Sequence, residues 1–255
     1  MSLSSEKRHE EIIELIQLNG KVKVADLSRR YNISEVSIRK DLEVLEAQGH
    51  LTRIHGGAVG MNKLYVNMDL TERFKTNAAA KRAVAELAAT LIDDNDTIMM
   101  NAGTTLAYVL RALRGKKNIS IVTNSVQNAT EAALFPSFNV ILLGGELDSK
   151  YQFTYGQDAV RQLENYHATK CILSVDGVSA ESGLTLYYSN EAELARKMIE
   201  CSDKSIVVAD STKLGKNVFA RITDASKTDV LVTNKSDNLS EISRLRKLGV
   251  KIEEA

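Results

Sequence analysis

The chain has 255 residues, 44% hydrophobic and 26% charged, and its 33 basic and 33 acidic residues balance to zero net charge. That length suits one large domain, or a small domain joined to a medium one, and either can bury a core. No run approaches the roughly 18 apolar residues of a membrane span, MSLSSEKRHEEII lacks the apolar centre of a secretion signal, and Cys171, Cys201 and four scattered histidines give neither a disulfide framework nor metal-ligand spacing, so a cytoplasmic chain without membrane, metal or cofactor is expected.

Residues 5–18, SEKRHEEIIELIQL, place Ile12, Ile13, Leu15, Ile16 and Leu18 on a broad helical stripe that Asn19-Gly20 ends. KVKV reads as a short extended piece. A second helix follows near Ala25 to Tyr31, with Asn32 in the turn beyond it. Ser34 suits the N-cap of a third helix, because its hydroxyl can accept an orphan backbone N–H, and Gly49 stops that helix. LTRIHGGAVG then alternates and carries Gly56-Gly57, as a β-hairpin does. Two helices, a short turn, a third helix and a hairpin make a winged helix-turn-helix.

Positive charge is concentrated here. Lys21, Lys23, Arg29, Arg30, Arg39 and Lys40 stand against Asp26 and Glu35 alone between residues 21 and 40. At about 100° per residue, Ile38, Leu42 and Leu45 share one face of the third helix. The opposite face holds Val36 and Lys40, flanked by Ser37 and Arg39, with Ser34 at the cap. A helix reading the major groove needs this mixture: a cation for guanine or phosphate, hydroxyls for either, a small apolar group for a thymine methyl. Arg53 and His55 on the hairpin are expected to reach the DNA backbone or the adjacent minor groove, fixing register. The segments VADLSRRYNIS, SIRKDLEVLEAQG and LTRIHGGA resemble the N-terminal domain of DeoR-family bacterial transcription regulators, and the resemblance implies binding to double-stranded operator DNA.

Periodicity lapses over VGMNKLYVNMDL, and an alanine-rich helix is expected from about Glu72 to Asp93. Thereafter TIMM, ISIVT, NVILL, KCILSV, SIVVA and DVLVT alternate with helical stretches, the pattern of an α/β domain with a largely parallel sheet. Ligands of such sheets bind beyond the carboxyl ends of the strands. The residues found there are Asn101 with Gly103-Thr104-Thr105, Thr123-Asn124-Ser125, Gly144-Gly145 followed by Lys150, Asp176-Gly177, and Lys213. Gly-Thr-Thr at a helix start offers a tight turn, two hydroxyls and free N–H groups to a phosphate. Asp176 or Glu191 suits sugar hydroxyls, and Lys213 suits a phosphate or ring oxygen.

NAGTT, VTNS, LLGGEL, VDGVSAESGLT and VADSTKLGK resemble the DeoR-type effector domain in turn. That resemblance implies a fold related to ribose-5-phosphate isomerase and a phosphorylated sugar as effector. It places Gly103, Thr104 and Thr105 at the phosphate, Thr123, Asn124, Gly144 and Gly145 in the pocket wall, and Asp176, Glu191 and Lys213 around the sugar. Asn101, where the family often has Asp, and Asp148, where it often has a base, depart from the pattern. The expected organisation is a winged helix-turn-helix over residues 1–58, a linker over 59–71 and an effector-binding α/β domain over 72–255. The expected function is a repressor of a carbohydrate-utilisation operon, acting as a homodimer or homotetramer. Two other readings fit less of the chain: a sugar-phosphate isomerase using Asp176, Glu191 and Lys213, and a DNA-binding architectural protein with no ligand.

Overall fold

A computed structural model describes residues 5–19, 21–47, 51–54, 56–60 and 68–255. The chain divides into two compact units, residues 1–68 and 69–255.

The first unit runs α1 (Ser5–Asn19), β1 (Lys21–Lys23), α2 (Val24–Tyr31), α3 (Glu35–Ala47), β2 (Leu51–Ile54) and β3 (Gly57–Gly60). Its three strands form an antiparallel sheet in the order β1-β3-β2. KVKV splits: its last valine, Val24, already opens α2. Asn32 takes the left-handed conformation that ends α2, at φ 51°; an Asn tolerates this better than most residues. The expected cap is present, with the Ser37 N–H donating to Ser34 Oγ at 3.2 Å. Ile12, Ile16, Leu27, Ile38, Leu42, Leu45 and Leu51 fill the core. Each such side chain contributes roughly 1.5–3 kcal/mol by leaving water.

The second unit carries a seven-stranded sheet, every pairing in it parallel. Its strands are β4 (Thr97–Met100), β5 (Ser120–Thr123), β6 (Asn139–Leu142), β9 (Lys170–Ser174), β12 (Ser205–Val208), β14 (Val230–Thr233) and β15 (Lys251–Glu254), in the order β15-β14-β12-β9-β4-β5-β6. Alternate residues feed two cores. Ile98, Met100, Ile172, Ile206 and Val208 pack with α5 (Ala78–Ala89), α6 (Thr104–Ala112) and α7 (Val126–Ala132). Met99, Leu173, Val207 and Leu231 pack with α8 (Gln157–Leu163), α9 (Ser189–Glu200) and α10 (Leu239–Lys247). Burial on both faces explains why these strands read as unbroken apolar runs.

The helix expected over 72–93 is two helices. Asp69 and Glu72 form a reciprocal capping box that starts α4 (Leu70–Lys75), so this helix begins inside the span read as linker. Asn77, left-handed at φ 53°, breaks the path before α5. Short antiparallel strands complete the unit: β7 (Glu146–Asp148) with β8 (Phe153–Tyr155), and β10 (Gly177–Ser179), β11 (Gly183–Leu186) and β13 (Ala220–Thr223).

Candidate functional site

In the first unit α3 presents the mixture expected of a reading helix. Val36 is 61% exposed, while Ile38, Leu42 and Leu45 are buried. Lys40 is exposed and takes no partner among the described residues. Arg39 pairs with Glu35 one turn back at 2.7 Å. Ser37 is half-buried beside Ser34, their hydroxyls 3.0 Å apart. Arg53 is turned toward the protein: its N–H and guanidinium both donate to Glu46, at 2.7 and 2.6 Å. It thereby fastens the wing to the end of α3. His55 lies outside the described residues. Asp41, on the inward flank of α3, accepts from Arg8 at 2.7 and 3.1 Å and lies 3.0 Å from His9 Nε2. Burial alone would raise this carboxyl, but these hydrogen bonds outweigh it and hold Asp41 below the usual carboxylate range.

In the second unit the sheet order reverses between β4 and β9, since β5 and β6 lie on one side and β12 and β14 on the other. An open α/β sheet has its binding crevice at the carboxyl end of such a switch point. Asn101 stands there. Its Oδ1 accepts the Ser174 N–H at 2.9 Å, and its Nδ2 donates to the Ser174 carbonyl at 3.0 Å and to Glu191 Oε1 at 3.1 Å. Gly103 crosses close above Ser174: a Cβ on Gly103 would lie 2.5 Å from the Ser174 Cβ. Only glycine admits that approach, which lets α6 open beside β9. Thr104 and Thr105 form its first turn and are nearly buried. Their hydroxyls hold no partner among the described residues.

Charge gathers at the same edge. Asp176 follows β9; its Oδ2 accepts the Tyr187 N–H at 3.2 Å, and its Oδ1 lies 3.7 Å from the Lys213 ammonium. Lys213 ends the turn begun by Asp210, whose carboxylate caps the Thr212 N–H at 3.1 Å. Lys81, on α5, donates to the Arg73 carbonyl. Burial lowers Lys81 to about 8, with Asp210 and Asp176 opposing the shift and Lys213 and Arg73 adding to it. Lys216 is lowered by burial and then by Lys213. Glu191, 6% exposed, is pushed up to about 8 by burial and by Asp176, against Arg73 and the Asn101 hydrogen bond. Lys81, Lys213 and Lys216 thus gather around Asp176 and Asp210, with Arg73 near Lys81 and Glu191.

The remaining expected residues divide. Gly177 opens β10 directly after Asp176, in register with Thr185. Lys150 is exposed, and its ammonium lies 5.0 Å from the Tyr151 ring, which also carries the Arg73 guanidinium at 4.3 Å and packs on Tyr188 at 4.9 Å. Lys150 and Arg73 therefore share the Tyr151 ring. Ser125 caps α7 by accepting the Asn128 N–H at 3.1 Å, and Asn128 ties back to the Asn101 carbonyl at 3.1 Å. Thr123 and Asn124 are fully buried. The Asn124 amide donates to the Thr154 carbonyl at 3.0 Å, and the Thr154 hydroxyl bonds the Leu143 carbonyl at 2.6 Å, so β8 lies over both. Asn124 Oδ1 has no hydrogen-bond partner among the described residues. Gly145, at φ 138°, makes room for β8, since a Cβ there would meet the Tyr155 carbonyl oxygen at 2.4 Å; Gly144 donates its N–H to Gln162 at 2.9 Å. Gly144 and Gly145 thus build a corner.

Lys81, Arg73, Lys216 and Asn128 escaped the sequence reading. A signal for Lys81 was present: it shares a helical face with Val84, Ala85 and Ala88, where a lysine is out of place unless partnered.

Comparison with known proteins agrees with this anatomy. Residues 8–63 match the DeoR-like helix-turn-helix domain and residues 76–235 the DeoR C terminal sensor domain. The chain is 32% identical over 248 residues to the aga operon transcriptional repressor proposed for Escherichia coli O157:H7, covering 96% of this chain and 92% of that one. It is 29% identical over 247 residues to the glycerol-3-phosphate regulon repressor of Escherichia coli K12, covering 97% and 98%. Ribose 5-phosphate isomerase A from Neisseria gonorrhoeae is a remote likeness, with 20% identity, a TM-score of 0.40, and coverage of 56% of this chain and 54% of that one; it carries no functional argument. With both domain models matched in order and a relative at this identity aligned across nearly the whole sequence, the chain belongs to the DeoR family of DNA-binding transcription regulators.

Proposed function

We propose that this regulator represses a carbohydrate-utilisation operon in the cytoplasm and that a phosphorylated sugar, bound at the β4/β9 switch point, controls it. The observation that carries this reading is the charge cluster in which Lys81, Lys213, Lys216 and Arg73 outnumber Asp176 and Asp210. A phosphate would answer the excess of positive charge, and the carboxylates suit sugar hydroxyls. Gly103, Thr104 and Thr105 add backbone N–H groups and two unengaged hydroxyls at the same edge. Thr123, Asn124, Gly144 and Gly145 support the wall. Val36, Ser37, Lys40 and Arg39 read the operator from α3, with Ser34 fixing the start of that helix and Arg53 bracing the wing. Relatives named as repressors of the aga operon and the glycerol-3-phosphate regulon support a carbohydrate-linked target. One such helix covers a short site, so a homodimer or homotetramer on repeated half-sites follows from the geometry of groove reading.

The ligand can change operator affinity only by as much as it binds the two states differently. A melting panel of phosphorylated hexoses, pentoses and amino sugars, each beside its unphosphorylated form, tests the reading. One phosphorylated member at 100 times its dissociation constant should stabilise the protein by ~2.7 kcal/mol and change operator affinity. Stabilisation by none, or equally by the unphosphorylated forms, would overturn it. The isomerase reading has only a remote fold likeness behind it.

A further inference from the structure

We infer that Asn101 is a positioning residue that fixes which oxygen of the buried Glu191 acid carries its proton, Oε2, so the site offers its ligand a neutral donor at that point rather than an anion. The part concerning the ligand rests on the proposed function; the part concerning Glu191 does not.

Asn101 cannot turn over. Its Oδ1 takes the Ser174 N–H at 2.9 Å and its Nδ2 gives to the Ser174 carbonyl at 3.0 Å. A flipped amide would set oxygen against oxygen and N–H against N–H. Nδ2 is therefore the atom that meets Glu191 Oε1, at 3.1 Å. An amide N–H needs a lone pair, so Oε1 accepts, and in the protonated acid the proton sits on Oε2. Oε2 has no hydrogen-bond partner among the described residues, which leaves its O–H for a ligand oxygen.

The surroundings favour keeping that proton. Burial acts first, Asp176 and Asp148 both add negative charge, and only Arg73 and the Asn101 hydrogen bond oppose them. Glu191 is 6% exposed and forms no ion pair among the described residues, and the balance pushes it up to about 8, which favours the neutral acid at pH 7. A carboxyl held neutral by its site can donate where a carboxylate could only accept.

Infrared difference spectroscopy of the full chain, wild type minus Glu191→Gln, tests this without any effector, so its outcome is separate from that of the sugar-phosphate reading. At pH 7 the wild type should show a protonated-carboxyl C=O stretch that E191Q lacks, giving way to carboxylate bands with a midpoint near pH 8. Carboxylate bands alone at pH 7 would overturn the donor assignment. In Asn101→Leu the C=O stretch should move to higher frequency as Oε1 loses its donor, and the midpoint should move up. Asn101→Ser gives the same readout should the leucine variant not fold. A stretch and midpoint unchanged in a folded variant would remove Asn101 from the role.

Discussion

Lys81 donates its ammonium to the Arg73 carbonyl, joining α5 to the end of α4 at the cation that faces Asp210 and Asp176. Arg73 in turn lies over Tyr151. A ligand phosphate reaching Lys81 would thus meet a cation already oriented by the backbone, with little ordering left to do.

Lys81→Met keeps most of the buried chain and removes the charge. Hydrogen bonds to charged groups contribute about 1.5–3 kcal/mol, so the affinity for the phosphorylated effector should fall roughly 10- to 100-fold. Operator affinity without effector should stay near that of the wild type. Calorimetric titration beside a gel-shift assay separates the two. Equal binding of the effector by K81M would remove Lys81 from the site.

Stability should depend on pH in two opposed windows. Glu191 stays protonated in the fold up to about 8, while the unfolded chain ionises it near its ordinary 4.5. Between those values the unfolded state holds fewer protons, so stability falls as pH rises. Lys81 loses its proton at about 8 when folded and near 10.5 when unfolded. There the unfolded state holds more protons, so stability rises again with pH. The melting temperature of the second unit should carry a minimum near pH 8 from this pair of groups. Glu191→Gln should flatten the acid-side descent and Lys81→Met the alkaline-side rise. A descent that persists unchanged in E191Q would assign it elsewhere.

The architecture was legible because its cause is periodic. Ile38, Leu42 and Leu45 repeat with helical spacing, and strands such as SIVV are apolar throughout because both faces are covered. The strand ends were legible for the same reason, since a parallel sheet brings them to one edge. The charged partners were not. Lys81 lies about 130 residues before Asp210 in sequence, and only the placement of α5 beside β12 and β14 brings them together. Asn77 was hidden too: its left-handed turn breaks a stretch whose alanines read as one helix. Thr123 and Asn124 stand at a strand end as expected, and β8 lies over them, in a hairpin that no local pattern marked.

Gly103→Ala should destabilise the second unit. The new Cβ would lie 2.5 Å from the Ser174 Cβ and 2.7 Å from its Oγ, and overpacking of this kind costs about 1–3 kcal/mol. Ser174→Gly removes both obstructing atoms. The double variant should therefore recover much of the loss relative to the two single effects, a coupling readable from denaturant titrations. Strict additivity would show that the α6 entrance does not press on β9.

Asp41 anchors α3 to α1 through Arg8 and His9. Asp41→Ala removes the carboxylate that accepts from Arg8 and lies beside His9, and the loss of these charge-assisted hydrogen bonds should cost about 1.5–3 kcal/mol. Circular dichroism and calorimetry should show the first unit melting earlier while the transition of the second holds. In the wild type this support is lost as pH falls through the depressed Asp41 value, because the folded state then takes up the proton later than the unfolded one. A single unshifted transition in D41A would show the pair to be dispensable.

Lys40 and Val36 share the exposed side of α3 yet should fail differently when truncated. Lys40 is unpartnered among the described residues and long enough to reach a base edge or a phosphate. Lys40→Ala should weaken operator binding by about 1–3 kcal/mol with relaxed preference at one base pair if it reads a base. A uniform loss across sequences, with a salt dependence reduced by about one ion, would assign it to phosphate. Val36 carries no charge, so Val36→Ala should leave the salt dependence untouched and lower affinity only where a thymine methyl meets it. Arg39 is partly committed to Glu35, and Arg53 is held by Glu46. Glu46→Gln should therefore loosen the wing and free Arg53, raising non-specific DNA binding more than specific binding. Binding unchanged by both Lys40→Ala and Val36→Ala would mean that this face of α3 does not enter the groove.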